Sequence, residues 1–280
     1  MQYREFKLRP PLDRWVECIW YLEVESSSDT SVQRVLPDGR MELVIHVGEP
    51  FSYHKSGSLE RQGRVMLSGQ LSRPLLLMPR AGGRVLGIRF KPAGASALFR
   101  FSLADLTDQL CALDQVSQGL QHALLNAVEQ SVASGSISPH TIDKVAEVLL
   151  SHSRNSPPPI VNAAVSELEN SDGTASVSRV AESCGVSERQ LERLFRQHVG
   201  LTPKTLSRLL RFQRALVVCD ERTNWAEVAM HAGYYDQSHL LRDFRQFAGE
   251  TPAYLLSSTS DLAEHFTARN RWNSAEAFEE

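Results

Sequence analysis

Residues 180–203 recur, with one inserted residue, as residues 228–252. The copies share Val180/Val228, Ala181/Ala229, Gly185/Gly233, Leu191/Leu240, Arg193/Arg242, Phe195/Phe244, Arg196/Arg245, Gln197/Gln246, Gly200/Gly249, Thr202/Thr251 and Pro203/Pro252. Such a duplication restricts the fold sharply, because both copies must close the same local structure. Each reads as a short helix with Val-Ala on its buried face, a glycine for the positive φ of a tight turn, and a second helix. Ser187 or Asp236 is placed to cap that second helix through its backbone N–H groups. In the first copy Leu191, Leu194, Phe195 and His198 fall on one side, and Arg189, Glu192, Arg193 and Arg196 on another. In the second, Leu240, Phe244 and Phe247 pack, leaving Gln237, Ser238, His239, Arg242 and Arg245 outward. Gly200 and Gly249 stop the second helices, and a proline follows each. Residues 203–219 read as one long connecting helix with Pro203 in its first turn.

A run of arginines alone is usually a solvated helix face; its duplication within a helix–Gly–helix pattern points instead to DNA. The whole chain carries 30 Lys+Arg against 33 Asp+Glu, a net charge of −3 that excludes a histone-like coat protein. Resolved by position, residues 261–280 hold 2 basic and 5 acidic groups and supply that −3. Residues 187–214 hold seven Lys/Arg and only Glu188 and Glu192, a local charge of +5.

Residues 160–256 resemble the double helix-turn-helix domain of the AraC/XylS family of bacterial transcription regulators. Two stretches carry the likeness: Arg189-Gln190-Leu191-Glu192-Arg193-Leu194-Phe195-Arg196, and Gly233-Tyr234-Tyr235-Asp236-Gln237-Ser238-His239-Leu240-Leu241-Arg242-Asp243-Phe244-Arg245. The resemblance implies two subdomains joined by a long helix, each placing one recognition helix in the major groove. By position, Arg189, Gln190, Glu192 and Arg193, with Gln237, Ser238, His239 and Arg242, are then the base readers. Arginine suits guanine, glutamine adenine, and glutamate the cytosine amino group. Ser187, Arg196, Lys204, Arg208, Arg211 and Arg245 are the expected phosphate contacts, which set register without reading sequence.

The first half has a different grain. Short runs at 14–22, 41–47, 65–67, 75–78 and 84–90 are rich in aromatic and β-branched residues and are punctuated by Pro37-Asp38-Gly39, Gly48-Glu49-Pro50 and Gly82-Gly83. They predict an antiparallel β-barrel or cupin-like domain. Residues 103–110, 118–133 and 139–151 show helical spacing. The expected fold class is therefore α+β: a β-barrel-like domain with accessory helices over 1–152, then an all-α double helix-turn-helix domain. A linker at 153–159 contains three successive prolines, the DNA-binding domain covers 160–256, and a polar acidic tail covers 257–280. Leu36-Pro37-Asp38-Gly39-Arg40-Met41-Glu42-Leu43 and Gly87-Ile88-Arg89-Phe90-Lys91-Pro92-Ala93-Gly94 resemble a subgroup of the domains that precede this DNA-binding module. Such domains bind effectors, dimerise, or do both.

Trp15, Trp20, Tyr21 and Phe90 are candidates for an apolar effector pocket, with ordinary core packing as the alternative. The stripe Leu120, Leu124, Val128, Val132 is the dimerisation candidate; packing on its own domain is equally consistent. No glycine-rich phosphate loop is present, and His46 and His54 lack the partners of a metal site, so no catalysis, cofactor or metal is expected. Cys18, Cys111, Cys184 and Cys219 form no C-x-x-C pair and suit a reducing compartment. No run approaches the ~20 apolar residues of a membrane span, and no apolar segment follows Met1, so the expected location is the cytoplasm. The expected function is sequence-specific binding of double-stranded DNA to regulate transcription, tuned by a small-molecule effector. RNA polymerase and a second copy of the chain are further expected partners. The alternatives are an effector-independent regulator whose first half serves only assembly, and an enzyme fused to a DNA-binding module.

Overall fold

The computed structural model describes residues 1–25, 30–55, 57–134, 137–154, 156–219 and 224–257, with the side chains of 130–134 and 256–257 excepted. All but the first residue of the acidic tail therefore lies outside the described residues.

Among the described residues the first half holds ten strands: β1 (Gln2–Phe6), β2 (Val16–Glu23), β3 (Gln33–Val35), β4 (Glu42–His46), β5 (Ser52–Lys55), β6 (Ser58–Arg61), β7 (Val65–Ser68), β8 (Leu75–Met78), β9 (Arg84–Phe90) and β10 (Leu110–Ala112). They form two antiparallel sheets, ordered β1-β2-β9-β4-β7-β10 and β3-β8-β5-β6, which among the described residues stay open and do not close into one barrel. Helices α1 (Gln118–Ser134) and α2 (Pro139–His152) follow. Strand alternation sorts side chains between two layers. Ile19, Tyr21, Leu43, Ile45, Leu86, Ile88 and Phe90 pack with Leu120, Leu124 and Val145 of the helices. Cys18, Trp20, Leu22 and Val85 face the other way and meet Phe51 and Leu77 of the small sheet.

The α1 stripe is thus covered by its own domain at Leu120, Leu124 and Val128. Val132 lies outside the described side chains. The expected helix at 103–110 is instead a single 3-10 turn, Leu103–Leu106, followed by strand β10. Asp108 causes the change: at φ 58° its carboxylate accepts the Ser72 N–H at 2.7 Å and hydroxyl at 2.6 Å, tying the chain to a distant loop.

His46 is fully buried, donates from Nε2 to Gln62 Oε1 at 2.6 Å, and stands edge-on to Phe51. Desolvation pushes its pKa down to about 4 from the usual 6.5, against the opposing bond to Gln62. The unfolded chain therefore binds this proton first, so the contribution is intact above pH 6.5 and is lost as pH falls toward 4. Between pH 7 and 5 the wild type should lose about 2 kcal/mol more stability than His46→Gln. Urea denaturation at the two pH values measures the difference; parallel losses would refute it.

The second half is helical: α3 (Pro159–Asn170), α4 (Val177–Ser183), α5 (Glu188–His198), α6 (Pro203–Val218), α7 (Trp225–His231), α8 (Gln237–Phe247) and α9 (Pro252–Ser257). Its core surrounds Phe212, whose ring meets Phe244 at 5.0 Å and Phe247 at 5.3 Å. No helix among the described residues is long and apolar enough to cross a membrane.

Leu36 and Ala93 belong to this second core although they come from the first half. The Pro37 carbonyl accepts the Gln213 amide of α6, and Arg40 binds Glu169 of α3 at 2.8 Å. Gln70 Nε2 donates to the Gly39 carbonyl at 3.1 Å and the Pro92 carbonyl at 3.5 Å. The two motifs singled out in the first half therefore form its seat for the second. The proline stretch also keeps a bond to the first half, from Arg154 N–H to the Ala97 carbonyl at 3.0 Å.

Candidate nucleic-acid interface

The repeat builds two near-equivalent units. Gly185 and Gly233 have φ values of 68° and 75°, in the region where a side chain is strained. The following N–H groups return to the first helix of each unit, Val186 to the Ala181 carbonyl and Tyr234 to that of Ala229. Ser187 Oγ then accepts the Gln190 N–H at 3.2 Å, and Asp236 Oδ1 accepts that of His239 at 2.7 Å. These caps satisfy donors that a helix start leaves open. Thr202 and Thr251 repeat the device, capping α6 and α9 through the N–H groups of Thr205 and Tyr254.

On α5, Leu191 and Phe195 are buried, while Arg189, Gln190, Glu192, Arg193 and Arg196 are exposed. Those five and Ser187 line one shallow concavity. Arg196 and Glu192 pair at 3.0 Å, with both side chains about half exposed. A helical pair of that kind contributes only about 0.3–0.5 kcal/mol, so either partner is readily released. On α8, Leu240, Phe244 and Phe247 are buried, and Gln237, Ser238, Arg242 and Arg245 are exposed. His239 is half-buried, its ring 5.2 Å from Tyr234 and at right angles to it. Ser187 is engaged as a cap and Lys204 is exposed.

Two expected phosphate contacts are instead tied down inside the domain. Arg208 reaches Asp243 Oδ1 from Nε at 3.1 Å and Nη2 at 2.5 Å, bonds Gln246, and covers the Phe247 ring. Arg211 donates to the Gly173 carbonyl at 2.6 Å and lies over Tyr234. Arg214 follows suit with Asp172 at 2.6 Å. The basic stripe of α6 is largely a brace between helices.

A cavity of about 60 Å³ lies between the two sheets. Trp20 lines it with Leu22, Val44, Leu75, Leu77 and Val85. Trp15, Tyr21 and Phe90 do not: they lie in the helix-facing core, with Trp15 stacked on Phe90 at 6.3 Å. The reason is parity, since Tyr21 and Trp20 are neighbours on one strand and point to opposite faces. Trp20 pairs across the strands with Gly87, where any Cβ would fall within about 2.0 Å of its ring. The polar end of the cavity consists of Asp38 and Arg40 from the turn before β4, Glu42 of β4 and Arg89 of β9. Arg89 binds Glu42 at 2.7 Å and Asp38 at 3.7 Å, while Arg40 binds Glu17 and Glu169. Burial disfavours charge on Arg89, but Glu42 and Asp38 outweigh it and hold the guanidinium protonated. Burial pushes the Glu42 carboxyl up, with Arg89 pulling the other way. Gly87 and Arg89 inside an otherwise apolar strand were the available signal.

Comparison with known proteins places residues 180–257 in a helix-turn-helix domain family. Residues 4–112 match a domain of unknown function, DUF6597. No curated protein sequence matches the chain. Among solved structures, it is similar to ToxT from Vibrio cholerae O395 at 10% identity, covering 85% of this chain and 97% of that one with a TM-score of 0.45. Unsaturated fatty acid-bound wild-type ToxT from Vibrio cholerae strain SCE256 is similar at 11% identity, over 84% and 94% of the two chains, with a TM-score of 0.43. The AraC-like transcriptional activator CuxR is similar at 12% identity, over 69% and 79%, with a TM-score of 0.25. Residues 180–257 thus match a helix-turn-helix domain, over the same stretch in which the repeat builds its two capped helices.

Proposed function

We propose that this protein is a DNA-binding transcription regulator of the AraC type that reads two major-groove segments with α5 and α8, and that the cavity between its sheets adjusts the reading. The observation that carries the proposal is the pair of exposed polar faces on identically capped helices. Arg189, Gln190, Glu192 and Arg193 read from α5, and Gln237, Ser238 and Arg242 from α8. Arg196, Lys204 and Arg245 hold phosphates. Arg208 and Arg211 brace the helices, Ser187 caps one, and His239 supports Tyr234.

The cavity suits the role of effector site because its walls are also the seat of the DNA-binding half. Leu36, Asp38 and Arg40 line it, and the same turn meets α6 and α3. Leu71 and Leu75 line it too, beside Gln70 and Pro74, which lie against Gly200 and Gly249. At about 60 Å³ it holds roughly two water volumes, so a larger occupant has to displace those walls or extend out through the open side. Its charges are already paired, which favours a largely apolar occupant.

Selection of bound duplexes from a random pool, with and without metabolite extract, tests both parts. Arg193→Ala should weaken the selected complex by about 1–3 kcal/mol and relax one base pair of the consensus. An unaltered consensus would contradict the role given to Arg193, and a pool indifferent to extract would contradict that of the cavity.

A further inference from the structure

The second helix-turn-helix carries one more residue than the first between its turn glycine and its cap: Gly185-Val186-Ser187 against Gly233-Tyr234-Tyr235-Asp236. The backbone shows which residue is extra. Val186 N–H bonds the Ala181 carbonyl at 3.0 Å, and Tyr234 N–H bonds the Ala229 carbonyl at 2.8 Å, so these two residues are equivalent. Tyr234 takes the inward place, buried between the Arg211 guanidinium and the His239 ring. The insertion is therefore Tyr235, whose side chain is 95% exposed.

Its neighbours are fixed on both sides, by the burial of Tyr234 and by the cap that Asp236 forms with His239. Among the described residues, the Tyr235 side chain has no hydrogen-bond partner. It stands immediately before the cap of α8, the end by which a recognition helix approaches the groove and its flanking phosphates. A phenol in that position has an apolar ring and one strong donor, and it carries no charge.

Resting on the reading of α8 as a recognition helix, we propose that Tyr235 is a DNA-backbone contact, its phenol O–H donating to a phosphate oxygen that flanks the groove entered by α8. The contact sets the register of the second unit on the duplex, and the first unit has no counterpart at Val186.

Tyr235→Phe removes the O–H alone and, at so exposed a site, leaves the fold intact, which a thermal melt of the full chain checks. Binding should weaken about ten-fold, both on a duplex recovered from a random pool by the wild-type chain and on an unrelated duplex. The slope of log affinity against log salt should stay unchanged, because a neutral donor releases no counterion. Neutral methylphosphonates, substituted one at a time along the duplex, should identify one position that weakens the wild type and leaves Tyr235→Phe indifferent. Equal affinity of wild type and Tyr235→Phe would overturn the proposal, as would equal sensitivity of the two at every phosphate.

Discussion

Arg208→Ala should destabilise the DNA-binding half by about 3 kcal/mol, the cost of leaving a buried carboxylate without its partner. Asp243 is the reason. Its side chain is 1% exposed, whereas that of Arg208 is 25% exposed. Water can reach the arginine side of the pair, which keeps the expected cost at the lower end of the buried range. The bond joins α6 of one unit's connector to α8 of the other, so its loss loosens the second recognition helix against the Phe212 cluster. Chemical denaturation of the full chain should show the midpoint fall without a change of slope. Asp243→Ala should also destabilise, and the double variant should cost less than the sum, since neither charge is then left alone. Retained stability with a shallower salt dependence of DNA binding would instead restore Arg208 to phosphate contact.

Such internal pairing marks where the sequence stops being legible. The repeat could be read directly, because caps, turn glycines and buried stripes are local features at fixed spacing. Ser187, Gly185, Asp236 and Gly233 take the roles their positions dictate. Arg208 and Arg211 lie on what a helical wheel presents as a basic face. Their partners arrive from Asp243 and Gly173, some 35 to 38 residues away. Strands posed the same difficulty. The runs at 75–78 and 84–90 are observed as β8 and β9, yet the run that forms β2 does not disclose its own parity. A bulge between Val16 and Cys18 resets the alternation, and only sheet pairing shows that Trp20 faces the cavity while Tyr21 faces the helices. The short strands β5 and β6 are largely polar and carry little hydrophobic signal. Two motifs of the first half were recognisable as sequence, but their burial in the second core is a tertiary fact.

Leu36→Ala probes that tertiary fact. Leu36 is 3% exposed within a core otherwise supplied by α3 to α8 and Ala93. Truncating a buried leucine costs about 2–4 kcal/mol, part transfer free energy and part cavity. Here the loss falls on the seat between the halves. The turn around it has little room to collapse, because Gly39 sits at φ 77° and a Cβ there would come within 2.9 Å of Leu206. Around this turn the remaining polar contacts are the Pro37–Gln213 bond and the Arg40–Glu169 pair, while Arg34–Glu250 and the bonds of Ser102 and Thr107 to the Arg196 and Gly200 carbonyls join the halves elsewhere; none excludes water as the leucine does. Unfolding followed by fluorescence of Trp15 and Trp20 in the first half, with Trp225 and Trp272 replaced by Phe, should then separate from loss of the helical signal, most of which α3 to α9 supply. The wild-type seat should make the two coincide. The same variant should still bind the selected duplex, since Leu36 is remote in sequence and packing from the exposed faces of α5 and α8. What it should lose is any response of binding to an occupant of the cavity, because the turn that lines the cavity no longer grips α6. Coincident transitions in Leu36→Ala would show that the halves are coupled elsewhere, and an intact response would place the route of coupling outside this turn.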